Sequence, residues 1–235
     1  MEIQDFFLEQ YETVRWIASA LFIKDLTDEQ LRHQPKEGLN SIAWYMWHTA
    51  RWQDFANTLI SPGRGQMLNK DWLVRLNVTR RDVGTGMTRE ECTEFNRDVN
   101  VAALKGYWEA VGDAVREVVH SVSPQELAKP VDSAKIQAML VDGTIASERA
   151  SWVPGLLEGK SRSWFLSMAI WHTAEHLLGG VVCVRRVSGN PVGLYVHSPR
   201  FCKPSSDSMR LISRITGKVA PSTRTTATRL TRERA

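Results

Sequence analysis

The chain has 235 residues, 43% hydrophobic and 24% charged, a size and balance ordinary for a globular protein with one well-buried core. Its net charge of +4 is unevenly spread: residues 198–235 hold nine Lys/Arg against Asp207 and Glu233, a local +7 that leaves the rest at −3. No uncharged apolar run approaches the ~18 residues of a membrane span, the start Met1-Glu2-Ile3-Gln4-Asp5 lacks the basic-then-apolar pattern of a signal peptide, and Cys92, Cys183 and Cys202 make neither a disulfide framework nor a Cys-x-x-Cys zinc site. A reduced, cytoplasmic protein without a membrane partner is expected.

Helical periodicity dominates. Residues 3–23 carry Phe6, Phe7, Tyr11, Val14, Ile17, Ala18 and Leu21 at three-and-four spacing, the mark of an amphipathic helix. Thr27-Asp28-Glu29-Gln30 reads as a capping box opening a short helix, stopped by Pro35 and Gly38. Asn40 or Ser41 caps a second long helix, about 41–60, whose first half is apolar almost all round and is expected to be buried. Residues 63–87, with four glycines, read as a long connection of little regular structure. A second capping box, Thr88-Arg89-Glu90-Glu91, opens a third long helix to about Ser121, with a stripe including Phe95, Val99, Ala102, Ala103, Tyr107 and Val111. Ser123-Pro124 starts a short helix. Ile136–Ile145 is ambiguous, and Pro154-Gly155 is expected to break whatever precedes it. Ser161 or Ser163 caps a fourth long helix to about Val187, ended by Gly189-Asn190-Pro191. Four long helices predict an all-α four-helix bundle over residues 1–197. Residues 198–235 are expected to be a basic, Ser/Thr/Arg-rich, mostly disordered tail.

The tetrapeptide Trp-His-Thr-Ala occurs twice, at 47–50 and at 171–174, and the second copy continues to Glu175-His176. His172 and His176 are four apart on an apolar helix, so they share a face and are spaced to grip one metal ion. His48, on a separate apolar helix, supplies a third imidazole. Three histidines with coordination positions left open suit a catalytic divalent metal. His33, His120 and His197 fall at loops or helix ends and are excluded. Taken alone, His172-Thr173-Ala174-Glu175-His176 also matches H-x-x-E-H, the inverzincin peptidase pattern, but only Asp207 and Glu233 follow as acidic third ligands.

The stretch from Asn40 to His48 and the His172-x-x-x-His176 pair, with Gly179 behind it, resemble the DinB/YfiT-like metalloenzyme superfamily over roughly residues 1–195. The resemblance implies a four-helix bundle holding a divalent metal, zinc or nickel with iron or manganese as alternatives, on His48, His172 and His176. It also implies kinship with bacillithiol-type S-transferases, mycothiol-dependent isomerases and the iron-binding domain of ergothioneine-forming sulfoxide synthases. The last group resembles H-x-x-x-H-x-E, and Leu178 stands here in place of the Glu.

The first functional expectation is a metal-dependent enzyme of thiol-transfer or hydrolase type. It would act on a small molecule, with a low-molecular-weight thiol as candidate co-substrate. Glu175 is the candidate general base or orienting partner of an imidazole. Arg51 and Trp52 share a face with His48 and are candidates for an anion clamp and an apolar wall. The alternatives are a metal-stabilised scaffold or homodimer without catalysis, and a nucleic-acid-associated protein acting through its basic tail.

Overall fold

A computed structural model describes residues 2–188 apart from Lys36, Glu37, Pro62 and Ser147, with side chains described as far as Gly180 except those of Leu21, Phe22 and Leu178. The described residues form helices and no strand; Pro130 and Ser161 make an isolated bridge. The tail 198–235, the boundary at 197 and the stop at Gly189-Asn190-Pro191 lie outside them.

Four long helices build the bundle: α1 (Ile3–Phe22), α3 (Ile42–Ile60), α6 (Val101–Ser121) and α10 (Arg162–Ser188). α3 packs against α10 and α6, and α1 packs against the same two, so α1 and α3 occupy opposite corners. Shorter helices join them: α2 (Asp28–Arg32), α4 (Lys70–Leu76), α5 (Arg89–Asp98), α7 (Pro124–Leu127), α8 (Ser133–Val141) and α9 (Val153–Leu157).

Helix starts follow side-chain chemistry. Thr27 and Thr88 each accept from the backbone three residues on, while Gln30 and Glu91 reach back, completing both capping boxes. Ser41, rather than Asn40, caps α3 by accepting from Trp44 N at 3.0 Å. Ser161 does the same for Trp164 N at 3.2 Å and opens α10.

Three expectations need correction. The 63–87 connection contains a helix, α4, capped by Asn69 and ended by Asn77 in the left-handed region at φ 55°. The third long helix is two: Val99 and Asn100 are extended, Asn100 N donates to Leu76 O at 2.8 Å, and the Asn100 side chain caps Ala103 N at 3.0 Å. An Asn cap thus restarts the helix in a new phase, which leaves Ala102 exposed and buries Val101, Leu104 and Trp108. Pro154 starts α9 rather than breaking a helix, because its missing N–H costs nothing in a first turn. The first half of α3 is buried as expected, and the burial continues through its second half to all but Thr58.

The core has two apolar clusters. One centres on Phe55, Val118 and Phe165, the other on Trp47, Leu104 and Tyr107. Along α3 they meet between Ala50 and Trp52. The histidines lie at that level.

Candidate metal centre

α3 and α10 bring the two Trp-His-Thr-Ala copies face to face. The His48 ring centroid lies 5.0 Å from that of His172 and 4.7 Å from that of His176, and the last two are 4.5 Å apart. One ligating nitrogen from each lies within 4.8 Å of the others, and the group contains no Asp or Glu. The flanking tryptophans are not equivalent: Trp47 is fully buried, whereas Trp171 is 40% exposed.

Each imidazole is held differently. His48 is 4% exposed, and its Nδ1 sits 2.6 Å from the Val83 carbonyl. A carbonyl only accepts, so Nδ1 carries the proton and the Nε2 lone pair is free to ligate. Trp44, one turn earlier, stacks on the His48 ring at 4.3 Å and 14°. His172 and His176 point their Nε2 atoms at each other, 3.1 Å apart. Two nitrogens each ~2.0–2.1 Å from one zinc stand about 2.8–3.4 Å apart at angles from square to tetrahedral, so this pair already has a chelate's spacing.

The electrostatics keep the rings neutral. Burial pushes His48 and His172 well below the ordinary imidazole range, and neighbouring rings push the same way. Burial lowers His176 to about 4. Three neutral imidazoles without a carboxylate fit a divalent cation, which would keep its double charge there. Trp52 packs beside the histidines with an unpaired donor. It is 4% exposed and edge-on to His172 at 5.7 Å, and its indole N–H is buried without a partner.

Glu175 lies on the exposed side of α10, and partial desolvation raises its carboxyl above the ordinary range. No hydrogen bond or ion pair engages it among the described residues. His33 and His120 are exposed and outside the cluster.

Arg51 corrects the sequence expectation. It is 0% exposed and its donors are all committed. Nη1 binds Asp54 at 2.6 Å and the Tyr107 hydroxyl at 3.1 Å, Nη2 binds Gln66 at 2.5 Å, and Nε and Nη2 both reach the Arg81 carbonyl. No donor is left for a substrate anion, so Arg51 is not an anion clamp. Two partners escaped sequence reasoning. Val83 acts through its backbone, which leaves no residue-type signal. Asp54, three residues after Arg51, carried the signal of an i,i+3 ion pair.

Gly179 lets α10 approach α3 closely. A Cβ there would meet the Tyr45 hydroxyl at 2.4 Å and the ring carbon bearing it at 3.0 Å. Tyr45 also lies 5.7 Å from His176. Gly179→Ala gains helix propensity of about 1 kcal/mol but incurs overpacking of about 1–3 kcal/mol. The expected result is a lower melting temperature and weaker zinc binding by titration; an unchanged or higher melting temperature would show that Tyr45 yields freely.

The family description "DinB superfamily" matches residues 10–178. The chain is also similar in fold to a conserved protein from Enterococcus faecalis of known crystal structure. That pair shares 18% identity and a TM-score of 0.59, covering 81% of this chain and 99% of the other. No curated protein matches the chain.

Proposed function

The chain belongs to the DinB superfamily, and we propose that it is a metal-dependent enzyme of thiol-transferase or hydrolase type whose metal sits on His48, His172 and His176. The observation that carries this reading is the convergence of three neutral imidazoles, one with its tautomer fixed by the Val83 carbonyl. A bound zinc or nickel ion supplies Lewis acidity at positions the three nitrogens leave open.

The chain's own groups do the rest. Trp44 covers one face of His48 and Trp52 stands edge-on to His172, so both keep water from the ring side of the site. The Trp52 N–H is a donor for an acceptor atom of a small substrate. Glu175, on the same helix and with its carboxyl raised above the ordinary range by partial burial, takes the proton from an incoming thiol or water at the rim. The peptidase alternative is not favoured: the cluster's third member is an imidazole from another helix, not an acid. Among the described residues no helix is long and apolar enough to cross a membrane, which suits a small diffusible substrate.

The test uses zinc- or nickel-loaded full chain with two probes, an aryl halide plus a low-molecular-weight thiol, and an activated ester. Turnover that disappears with chelator and returns with metal supports the reading. Glu175→Gln should then slow turnover by ~100-fold at unchanged metal content. A Gln variant as fast as the parent removes Glu175 from the mechanism. Metal-independent turnover in His172→Ala leaves the metal a purely structural part.

A further inference from the structure

The irregular segment between α4 and α5 passes along α3, and three consecutive carbonyls each meet a donor from that helix. Arg51 donates to Arg81 O through Nη2 at 2.8 Å and Nε at 3.1 Å. The Trp47 indole N–H donates to Asp82 O at 3.2 Å. His48 Nδ1–H donates to Val83 O at 2.6 Å. On its other side the segment is tied by the Val83 N–H, which donates to Thr144 O at 2.9 Å. Arg81 Nη2 also reaches Leu68 O at 3.5 Å and the Asp82 carboxylate accepts from Gly84 N at 2.6 Å, while the three carbonyls that face α3 are held by that helix.

The structure assigns Arg51 and Trp47 the role of positioning residues for the metal centre, acting through backbone 81–83 on the orientation and tautomer of His48. Neither touches the ligating nitrogens. The mechanism is geometric. A carbonyl orients an imidazole only if it is itself fixed, and a drift of a few tenths of an ångström at Val83 would free the ring to rotate or exchange its proton. Arg51 fixes Arg81 O with two donors on a planar fork, and its own place is locked by Asp54, Tyr107 and Gln66. Trp47 is fully buried, so its indole cannot follow a moving segment. Gly84, at φ +80°, then turns the chain immediately after Val83; a Cβ there would lie 3.3 Å from Trp44 Nε1 and 3.4 Å from Trp47 Cδ1. This role differs from stability alone because it predicts an effect on one proton, His48 Nδ1–H, and not on the bundle at large.

The role in metal affinity rests on the reading given under Proposed function; the role in fixing the His48 proton does not. Arg51→Lys keeps the charge opposite Asp54 and loses the fork. Trp47→Phe keeps the apolar bulk and loses the donor. Val118→Ala, on α6 in the apolar cluster that also holds Val83, removes packing without removing a donor to segment 81–83 and is the control for general destabilisation. Nitrogen-15 spectra of metal-free full chain, with imidazole labelling, read the His48 tautomer and the exchange of its Nδ1 proton. Zinc titration reads affinity. In both variants the Nδ1–H signal is expected to exchange at least about tenfold faster and zinc affinity to fall about 10–100-fold at unchanged stoichiometry, while Val118→Ala leaves both as in the parent. Should Arg51→Lys fail to fold, Trp47→Phe decides. Folded variants with parental His48 signals would overturn the assignment, and so would a Val118→Ala control that loosens His48 as much. Zinc binding absent from the parent, together with a His48 proton freed in the variants, would sink the metal reading and leave the positioning role standing.

Discussion

Replacing Asp54 with Ala is expected to remove about 3–5 kcal/mol of stability, which for a chain of this size lowers the melting temperature by roughly 6–20 °C. Asp54 accepts four hydrogen bonds: from Arg51 Nη1 at 2.6 Å, Met67 N at 2.7 Å, the Tyr107 hydroxyl at 2.8 Å and Leu68 N at 3.1 Å. Its loss leaves the fully buried Arg51 guanidinium without its carboxylate, and strands two backbone amides and a phenol. A buried pair is weak evidence of net stabilisation against an apolar replacement, but removing one partner is costly. Asp54→Asn, which keeps the shape and one acceptor oxygen, should lose less than the Ala variant. Urea unfolding followed by circular dichroism measures both. A loss under about 1 kcal/mol for Asp54→Ala, the scale of an exposed pair, would mean that water replaces the carboxylate and that the network does not anchor the 66–83 segment.

Metal-free protein is expected to become less stable as pH falls from about 6.5 toward 4, and bound metal to oppose the loss. The unfolded chain takes up protons on its histidines near their ordinary value of ~6.5. The folded His176 resists protonation down to about 4, and His48 and His172 are lowered as well. Above 6.5 both states are neutral and stability is fully present. Between 6.5 and 4 protons bind the unfolded state first, so stability drains away, on the order of 3 kcal/mol through His176 alone. A divalent ion at a thousand times its dissociation constant adds about 4 kcal/mol at neutral pH, and that gain shrinks toward pH 5 as protons compete for the ligands. Melting curves from pH 7.5 to 4.5, with zinc and with chelator, read both effects. His176→Leu should flatten the acid limb of the metal-free protein. An acid limb of the same depth in that variant would place the loss on other groups.

The bundle was legible because its four long helices carry long apolar stripes and short-range caps. Thr27, Thr88, Ser123 and Ser161 all act where their spacing to an amide three residues on predicts. The break at Val99-Asn100 was hidden because its cause is non-local: Asn100 N is drawn to Leu76 O, the end of a helix in a glycine-rich stretch that read as loop. α4 itself is short, and its start rests on Asn69 alone. The full burial of α3 was underestimated for a related reason. Its second half carries Arg51, Gln53, Asp54 and Asn57, which look like a solvent face, although the first three have internal partners. Gln53, for example, accepts from Tyr11 at 2.8 Å and donates to Thr173 at 3.0 Å, tying three helices together beside the histidines. The site shows the same division. The histidine spacing is local and could be read directly, and the structure brings His48 to the pair. Arg51 was misjudged because its residue type suits an anion clamp as well as an internal anchor. Only the closeness of Asp54, Tyr107 and the Arg81 carbonyl tells the two apart.

Metal stoichiometry tests the three-histidine centre most directly. Untagged full chain, incubated with zinc or nickel, freed of excess ion and submitted to elemental analysis, should carry one divalent ion per chain. His172→Ala, treated alike and with unchanged helical circular dichroism, should carry essentially none. A parent chain that retains no ion, or a His172→Ala variant that retains a full complement, would contradict the assignment of His48, His172 and His176 as one metal centre.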